Sequence, residues 1–254
     1  MLIAEVGLNH LGDEELALRY VNYLSKTSVD AISFQVREAE YYQRSEKKKF
    51  KLSNEVYQEV ARIIHENKKK FGVALADIGM IDFFESIGAD FYKVIRNDIT
   101  DLQLVRQLEQ TKKRVIVSTG QSSDKDIDNF LNYLKENFND DYHNNFVLNH
   151  TQLSYDVEDC NLKSIESLRE KYNLDVSFGS HCSLPEVLFM SVYSNPSDIL
   201  FYVKFSDGQK YPDDRHAIEA EEVSYFTNTI KELYKGIGDG VKIKMINKIE
   251  ETKI

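Results

Sequence analysis

Short apolar runs alternate with segments whose apolar residues recur every three or four positions along almost the whole chain. The runs at about 2–6, 30–35, 72–76, 90–95, 113–118, 145–149, 174–178 and 199–205 are rich in β-branched and aromatic residues and read as strands. Leu16, Leu18, Tyr20, Val21 and Leu24 mark a first amphipathic helix, and Val56, Val60, Ile63 and Ile64 a second. Later helical segments run through about 80–87, 101–111, 123–137, 161–171, 184–194 and 219–235. Ser53-Asn54 and Ser122-Ser123-Asp124 supply side chains suited to capping two of the helix starts.

Strand and helix patterns in strict alternation predict a parallel sheet with right-handed crossovers. Near-continuous apolar strands fit burial on both faces. Eight such units are the number that closes a barrel, and about 250 residues is the usual length for one, so the expectation is an α/β fold, a (β/α)₈ TIM barrel forming a single domain over 1–254. An open doubly wound sheet would want a glycine-rich phosphate turn after the first strand, and Val6-Gly7-Leu8-Asn9-His10 is not one.

Charge narrows the choice of partners. Lys and Arg number 32 against 42 Asp and Glu, a net of −10, which argues against nucleic acid, whose phosphates need basic patches. The one dense basic run, Lys47-Lys48-Lys49 with Lys51, reads as a solvated loop. Cys160 and Cys182 have neither metal-ligand spacing nor a disulfide pattern, so a reducing cytoplasm is expected. No signal peptide and no membrane-length apolar run is legible. Small-molecule substrates are the expected partners, and a homodimer is left open.

In a barrel, chemistry gathers at the carboxyl ends of the strands. The first strand runs into Glu5, then Asn9 and His10. Side chains alternate, so Ile3 and Glu5 share a face; with both faces covered, Glu5 lies in a closed interior, where a carboxylate is costly unless paired or used. Ser33 and Gln35 share a face of the second strand, with Arg37 and Glu38 beyond; Asp77 follows the third. Lys93 lies in the fourth, followed by Arg96, Asn97 and Asp98; the next ends offer Ser118, Asn149, His150, Gln152 and His181. Tyr202 and Lys204 share a face of the eighth. Lys93 and Lys204, set inside apolar strands, each need an anion, a carboxylate partner or a chemical use. The structural alternative is an ion pair with Glu5. His65 and His143 read as surface residues.

Ile3-Ala4-Glu5-Val6-Gly7-Leu8-Asn9-His10-Leu11-Gly12-Asp13 closely resembles the opening of the N-acetylneuraminate (sialic acid) synthases and their pseudaminic and legionaminic acid relatives. Phe91-Tyr92-Lys93-Val94, Val115 to Gly120, Glu158-Asp159-Cys160-Asn161-Leu162 and Ser180-His181 are similar to further motifs of that family, so the resemblance spans about 1–235. It implies a barrel enzyme that condenses phosphoenolpyruvate with an acylamino sugar or related aldehyde to a nonulosonic-type 2-keto acid, with Mn²⁺ or Mg²⁺. By the resemblance Glu5 stands near the sugar carbonyl, Lys93 and Ser118 hold the donor, Asp98 is a second acid, His181 is a metal ligand and Asp213 meets the sugar. Asn9, Gln35, Asn149 and Gln152 join the expected substrate-binding set.

The departures from the family matter as much. Its strand-two lysine is Ser33 here, its strand-four serine is Arg96, and the serine two before the metal histidine is Gly179. Its second metal histidine falls at Lys204, and these residues show no counterpart of its C-terminal antifreeze-like domain. A protonated lysine cannot ligate a metal, so the cation site reads as weakened or lost. Lys204 could supply positive charge in the metal's place and Arg96 could clamp an anion in place of the lost lysine, giving a metal-independent synthase. Two other readings stay open: a Schiff-base aldolase or lyase using Lys93 or Lys204, and a non-catalytic sugar-binding or regulatory homologue.

Overall fold

Alternation along each strand decides which side chains fill the barrel and which meet the helices. The computed structural model describes residues 1–95, 99, 101–138 and 142–242. Strands β1 (Leu2–Gly7), β2 (Ala31–Val36), β3 (Lys70–Leu75), β4 (Phe91–Val94), β5 (Arg114–Ser118), β6 (Phe146–Thr151), β7 (Val176–Gly179) and β8 (Ile199–Lys204) pair in sequence order. Every pairing is parallel, and β8 returns to β1 through Leu2↔Ile199 to Glu5↔Tyr202, closing the (β/α)₈ barrel. No edge is left on the ring.

The inner faces of the lower strands are apolar. Ile3, Ala31, Phe91, Ile116, Val147 and Leu200 form a plug of their own inside the barrel. A larger cluster lies between the strands' outer faces and the helices, with Ala4, Val6, Ile32, Phe34, Phe71 and Val73 looking outward. Gly72 of β3 makes room for the plug: a Cβ there would stand 2.0 Å from the Phe91 ring.

The helices are α1 (Glu14–Leu24), α2 (Ala39–Gln43), α3 (Asn54–Glu66), α4 (Ile81–Ser86), α5 (Leu102–Gln110), α6 (Asp124–Phe138), α7 (Tyr142–Asn145), α8 (Lys163–Tyr172), α9 (Val187–Ser191) and α10 (Val223–Ile237). Asp13, Ser53 and Asp101 cap α1, α3 and α5, each accepting from the backbone N–H three residues on. Three departures from the sequence pattern stand out. Helices α2 and α7 are too short to leave a periodic signature. The apolar stretch at 184–194 is not one helix but α9 followed by a 3₁₀ turn, Val192–Ser194. The helix expected from 219 begins at Val223, because a short strand, β9 (Ile218–Glu219), comes first. It pairs with β8 through Val203↔Ile218, above the point where β1 leaves β8. That pairing folds the long β8–β9 loop back over the barrel mouth. Among the described residues no helix is long and apolar enough to cross a membrane.

Candidate active site

Two residues up each strand the plug gives way to polar side chains. Ile3 is followed on its face by Glu5, Ala31 by Ser33, Phe91 by Lys93, Ile116 by Ser118, Val147 by Asn149 and Leu200 by Tyr202. Glu5 and Lys93 are buried, 3% and 4% exposed. Lys93 Nζ donates to both carboxylate oxygens of Glu5, each at 2.8 Å. The ion pair is therefore real. It forms part of a pocket of about 160 Å³ rather than a sealed core, for Lys93 lines that pocket with Gln35, Ile95, Ser118, Leu153, His181, Tyr202 and Asp213.

Asn9 shapes the pocket from behind. It is fully buried, its Nδ2 donates to the Val203 carbonyl at 2.8 Å, and its Oδ1 accepts from the Asp213 N–H at 3.1 Å. The amide thus ties both β8 and the β8–β9 loop to the turn that follows β1. Asn149 accepts from Ser177 Oγ at 3.0 Å, while its Nδ2 has no hydrogen-bond partner among the described residues. A Cβ at Gly179 would lie 2.8 Å from that Nδ2. The glycine where the resemblance expected serine thus gives the Asn149 amide its space.

His181 follows β7. Its Nδ1 and Thr151 Oγ1 lie 3.0 Å apart, a hydrogen bond that fixes the ring. Beside it, with ring centroids 4.8 Å apart, is His216 from the β8–β9 loop. The His216 side chain is 5% exposed, and neither ring nitrogen has a hydrogen-bond partner among the described residues. Burial, with Lys93 nearby, pushes His216 down to about 4. Burial, His216 and Lys93 push His181 to about 3, so both rings are neutral at ordinary pH. Asp213 moves the other way: burial and Glu5 raise its carboxyl to about 7, against the pull of Lys93.

Other expected residues lie elsewhere. Lys204 Nζ donates to the backbone carbonyl and Oδ1 of Asp214, both at 2.8 Å, and is not among the residues lining the pocket. Gln152 is exposed and also outside that lining. Arg96 and Asp98 lie outside the described residues. His150 donates to the Cys160 carbonyl and His10 Nδ1 accepts from the Gly12 N–H, so both serve loop structure. Cys160 and Cys182 are buried free thiols. The sequence reading missed His216 altogether, although it stands three residues after Asp213 in one loop. A periodicity search cannot see it, because the loop's path depends on a two-residue strand.

The profile of the NeuB family matches residues 19–242. The chain belongs to the NeuB family. Its relatives include an N,N'-diacetyllegionaminic acid synthase of Campylobacter jejuni, 24% identical over 95% of this chain and 78% of that protein. A pseudaminic acid synthase of the same organism is 24% identical over 100% of this chain and 79% of the relative. Among solved structures, an N-acetylneuraminic acid synthetase from Leptospira borgpetersenii in complex with citrate superposes with a TM-score of 0.87 at 23% identity. That match covers 98% of this chain and 89% of the other and supports the barrel fold. The family resemblance read from the sequence is thereby established.

Proposed function

We propose that this chain joins phosphoenolpyruvate to an acylamino sugar or a related aldehyde, forming a nonulosonic-type 2-keto acid and releasing phosphate. The observation that carries this reading is the buried Lys93–Glu5 pair, whose lysine lines an open pocket at the carboxyl ends of the strands. A barrel that needed only stability would fill that layer with apolar side chains, as it does two residues below.

The donor brings a carboxylate and a phosphate. The Lys93 ammonium and Ser118 hydroxyl offer them a charge and a donor, and Gln35 adds an amide. The electron pair of the donor's C2–C3 double bond forms the new carbon–carbon bond to the aldehyde carbon. The aldehyde oxygen gains a proton, water adds at C2, and the C2–O bond to phosphate breaks to leave the keto acid. Glu5 is placed to move one of these protons, with Lys93 stabilising negative charge on the reacting oxygens. Asp213 and Asn149 face the acceptor's hydroxyls and amide. Arg96 and Asp98, as an anion clamp and a second acid, complete this assignment.

A divalent cation, when bound, polarises the acceptor carbonyl. Among the described residues no group of three or more His, Cys, Asp or Glu converges on one point. His181 and His216 stand side by side there as neutral imidazoles, but Thr151 holds His181 Nδ1 and His216 Nε2 faces Asp213 Oδ1 at 3.7 Å, so the described residues do not make up a cation's ligand set. Lys204 is the weaker route to the same charge, since Asp214 already neutralises it. The Schiff-base reading is likewise disfavoured: a lysine donating to two carboxylate oxygens has no lone pair free to attack a carbonyl. The test is phosphate release from phosphoenolpyruvate across a panel of acylamino sugars and simple aldehydes. Acceptor-dependent release that disappears in Lys93→Met supports the proposal; release with no acceptor, or none with any acceptor, defeats it.

A further inference from the structure

Four lysines meet at the amino end of the barrel, in a chain whose net charge is −10. Lys68 and Lys69 stand just ahead of β3, Lys70 opens it, and Lys231 comes from α10. They line a cavity of about 440 Å³, on which Asp30 is the one acid among the described residues. Two of the ammonium groups are held in place. Lys69 Nζ donates to the Thr27 and Val29 carbonyls at 2.8 and 2.7 Å. Lys231 Nζ donates to the Ser28 carbonyl at 2.6 Å and to Asp30 Oδ1 at 2.9 Å. An ammonium carries three N–H donors, so each keeps one beyond these partners.

The cavity's own acid is already spent. Asp30 Oδ2 accepts from the Leu2 N–H at 2.7 Å, while Oδ1 takes Lys231. Lys68 and Lys70 are exposed, and neither is paired with a carboxylate among the described residues. The Met1 amino group, also on the lining, is turned to the Ser197 carbonyl and Asp198. Burial, and then the Lys231 ammonium, lowers the Lys69 pKa against the pull of Asp30. A bound anion would relieve a repulsion that the protein leaves in place.

The kind of cation indicates the kind of anion. No guanidinium lines the cavity, so nothing there offers the planar fork that grips a carboxylate in two bonds. Ammonium groups act as point charges, and several converging from a loop, a strand and a helix suit a tetrahedral group with oxygens on every side. The chain's negative charge repels a polyanion that would extend beyond the cavity, which restricts the ligand to one that fits inside.

We propose that this cavity binds a small phosphate-bearing anion, either free phosphate or a phosphate monoester, and that the bound anion stabilises the amino end of the barrel. The stabilisation follows from what meets there. Asp30 donates its N–H to the Leu2 carbonyl at 2.9 Å and accepts the Lys70 N–H at 3.1 Å, so the starts of β1, β2 and β3 join around it, with α10 attached through Lys231. The site lies at the opposite end from the Lys93 pocket and does not depend on the condensing role.

The experiment uses the full chain with inorganic phosphate, glucose 6-phosphate or potassium chloride at matched ionic strength. Lysine acetylation by an N-hydroxysuccinimide ester, mapped by peptide mass spectrometry, locates the ligand, and the thermal midpoint reports stabilisation. At a phosphate concentration of about ten times Kd, acetylation of Lys68 and Lys70 should slow about ten-fold, with Lys47, Lys48 and Lys49 unchanged and chloride without effect. Lys68→Gln/Lys70→Gln should lose most of the phosphate-dependent rise in midpoint, and Lys47→Gln/Lys48→Gln should keep it. Stronger protection by glucose 6-phosphate assigns the site to a monoester; protection no stronger than that by inorganic phosphate assigns it to free phosphate. Protection spread equally over Lys47, Lys48 and Lys49, protection matched by chloride, no protection by either phosphate, or a rise in midpoint undiminished in the folded double variant overturns the site. Should the double variant fail to fold, as circular dichroism would show, the wild-type acetylation map decides.

Discussion

At the scale of single residues, Glu5 and Lys93 hold opposite charges in a place where water cannot reach either freely. Removing one partner leaves the other charge buried and unpaired, which costs about 3–5 kcal/mol, whereas removing both can be nearly neutral. Lys93→Met is therefore expected to lower unfolding free energy by several kcal/mol and abolish phosphate release. The double variant Glu5→Gln/Lys93→Met should recover most of the stability and none of the activity. Urea unfolding beside a phosphate assay separates the two effects; a double variant no more stable than the single would mean the pair is not the unit. His10 makes a pH prediction. Burial lowers its pKa from 6.5 to about 4. Between those values the unfolded chain binds the proton and the folded chain does not. The stabilisation is thus complete above about pH 6.5 and is lost as pH falls toward 4. By pH 5 the loss from this one residue reaches roughly 2 kcal/mol. His10→Asn should shrink the stability difference between pH 7.5 and 5 by about that amount, measured by denaturant unfolding at both.

At the scale of elements, β3 and β4 show how tightly the strands interlock. The Phe91 ring occupies the space a side chain at position 72 would need, 2.0 Å from an added Cβ. Gly72→Ala is expected to destabilise by about 1–3 kcal/mol through overpacking. Gly72→Ala with Phe91→Leu should restore part of that, seen as a shared shift in thermal midpoint. The eight barrel strands were legible in sequence because each is an apolar run repeated between helices of clear period. Glu5 and Lys93 were legible for the same reason, as charges interrupting such runs. The β9 strand was not, since two residues carry no period, and everything it positions was hidden with it. That explains why Asp213 was reached only through family resemblance and His216 not at all. Lys204 shows the opposite error of scale. Alternation puts it on the face of Tyr202, but it lies where β8 pairs with β9, above the closed ring, and there its side chain is free to turn to Asp214.

At the scale of the whole molecule, the barrel separates its two ends by composition. The carboxyl end carries two adjacent buried imidazoles, an ion pair and an open pocket. The opposite end carries an ion-pair cross-link between strands. There Asp198, 1% exposed at its side chain, accepts from Arg114 Nη2 at 2.6 Å and from Ser197 Oγ at 3.0 Å, joining β5 to the turn that leads into β8. In a closed barrel such a cross-link restrains strands that are not neighbours in sequence, so its loss is felt by the ring as a whole, yet it is far from the chemistry. Asp198→Asn is expected to lower unfolding free energy by about 2 kcal/mol, less than for a fully buried pair because Arg114 keeps part of its hydration. The same variant should leave phosphate release at its wild-type value at temperatures where it stays folded. Thermal unfolding together with a phosphate-release assay tests this directly. A variant of wild-type stability would show that the cross-link contributes nothing to closure. One that lost phosphate release while fully folded would show that the two ends are coupled, and that the polar layer above the plug depends on the register set from below.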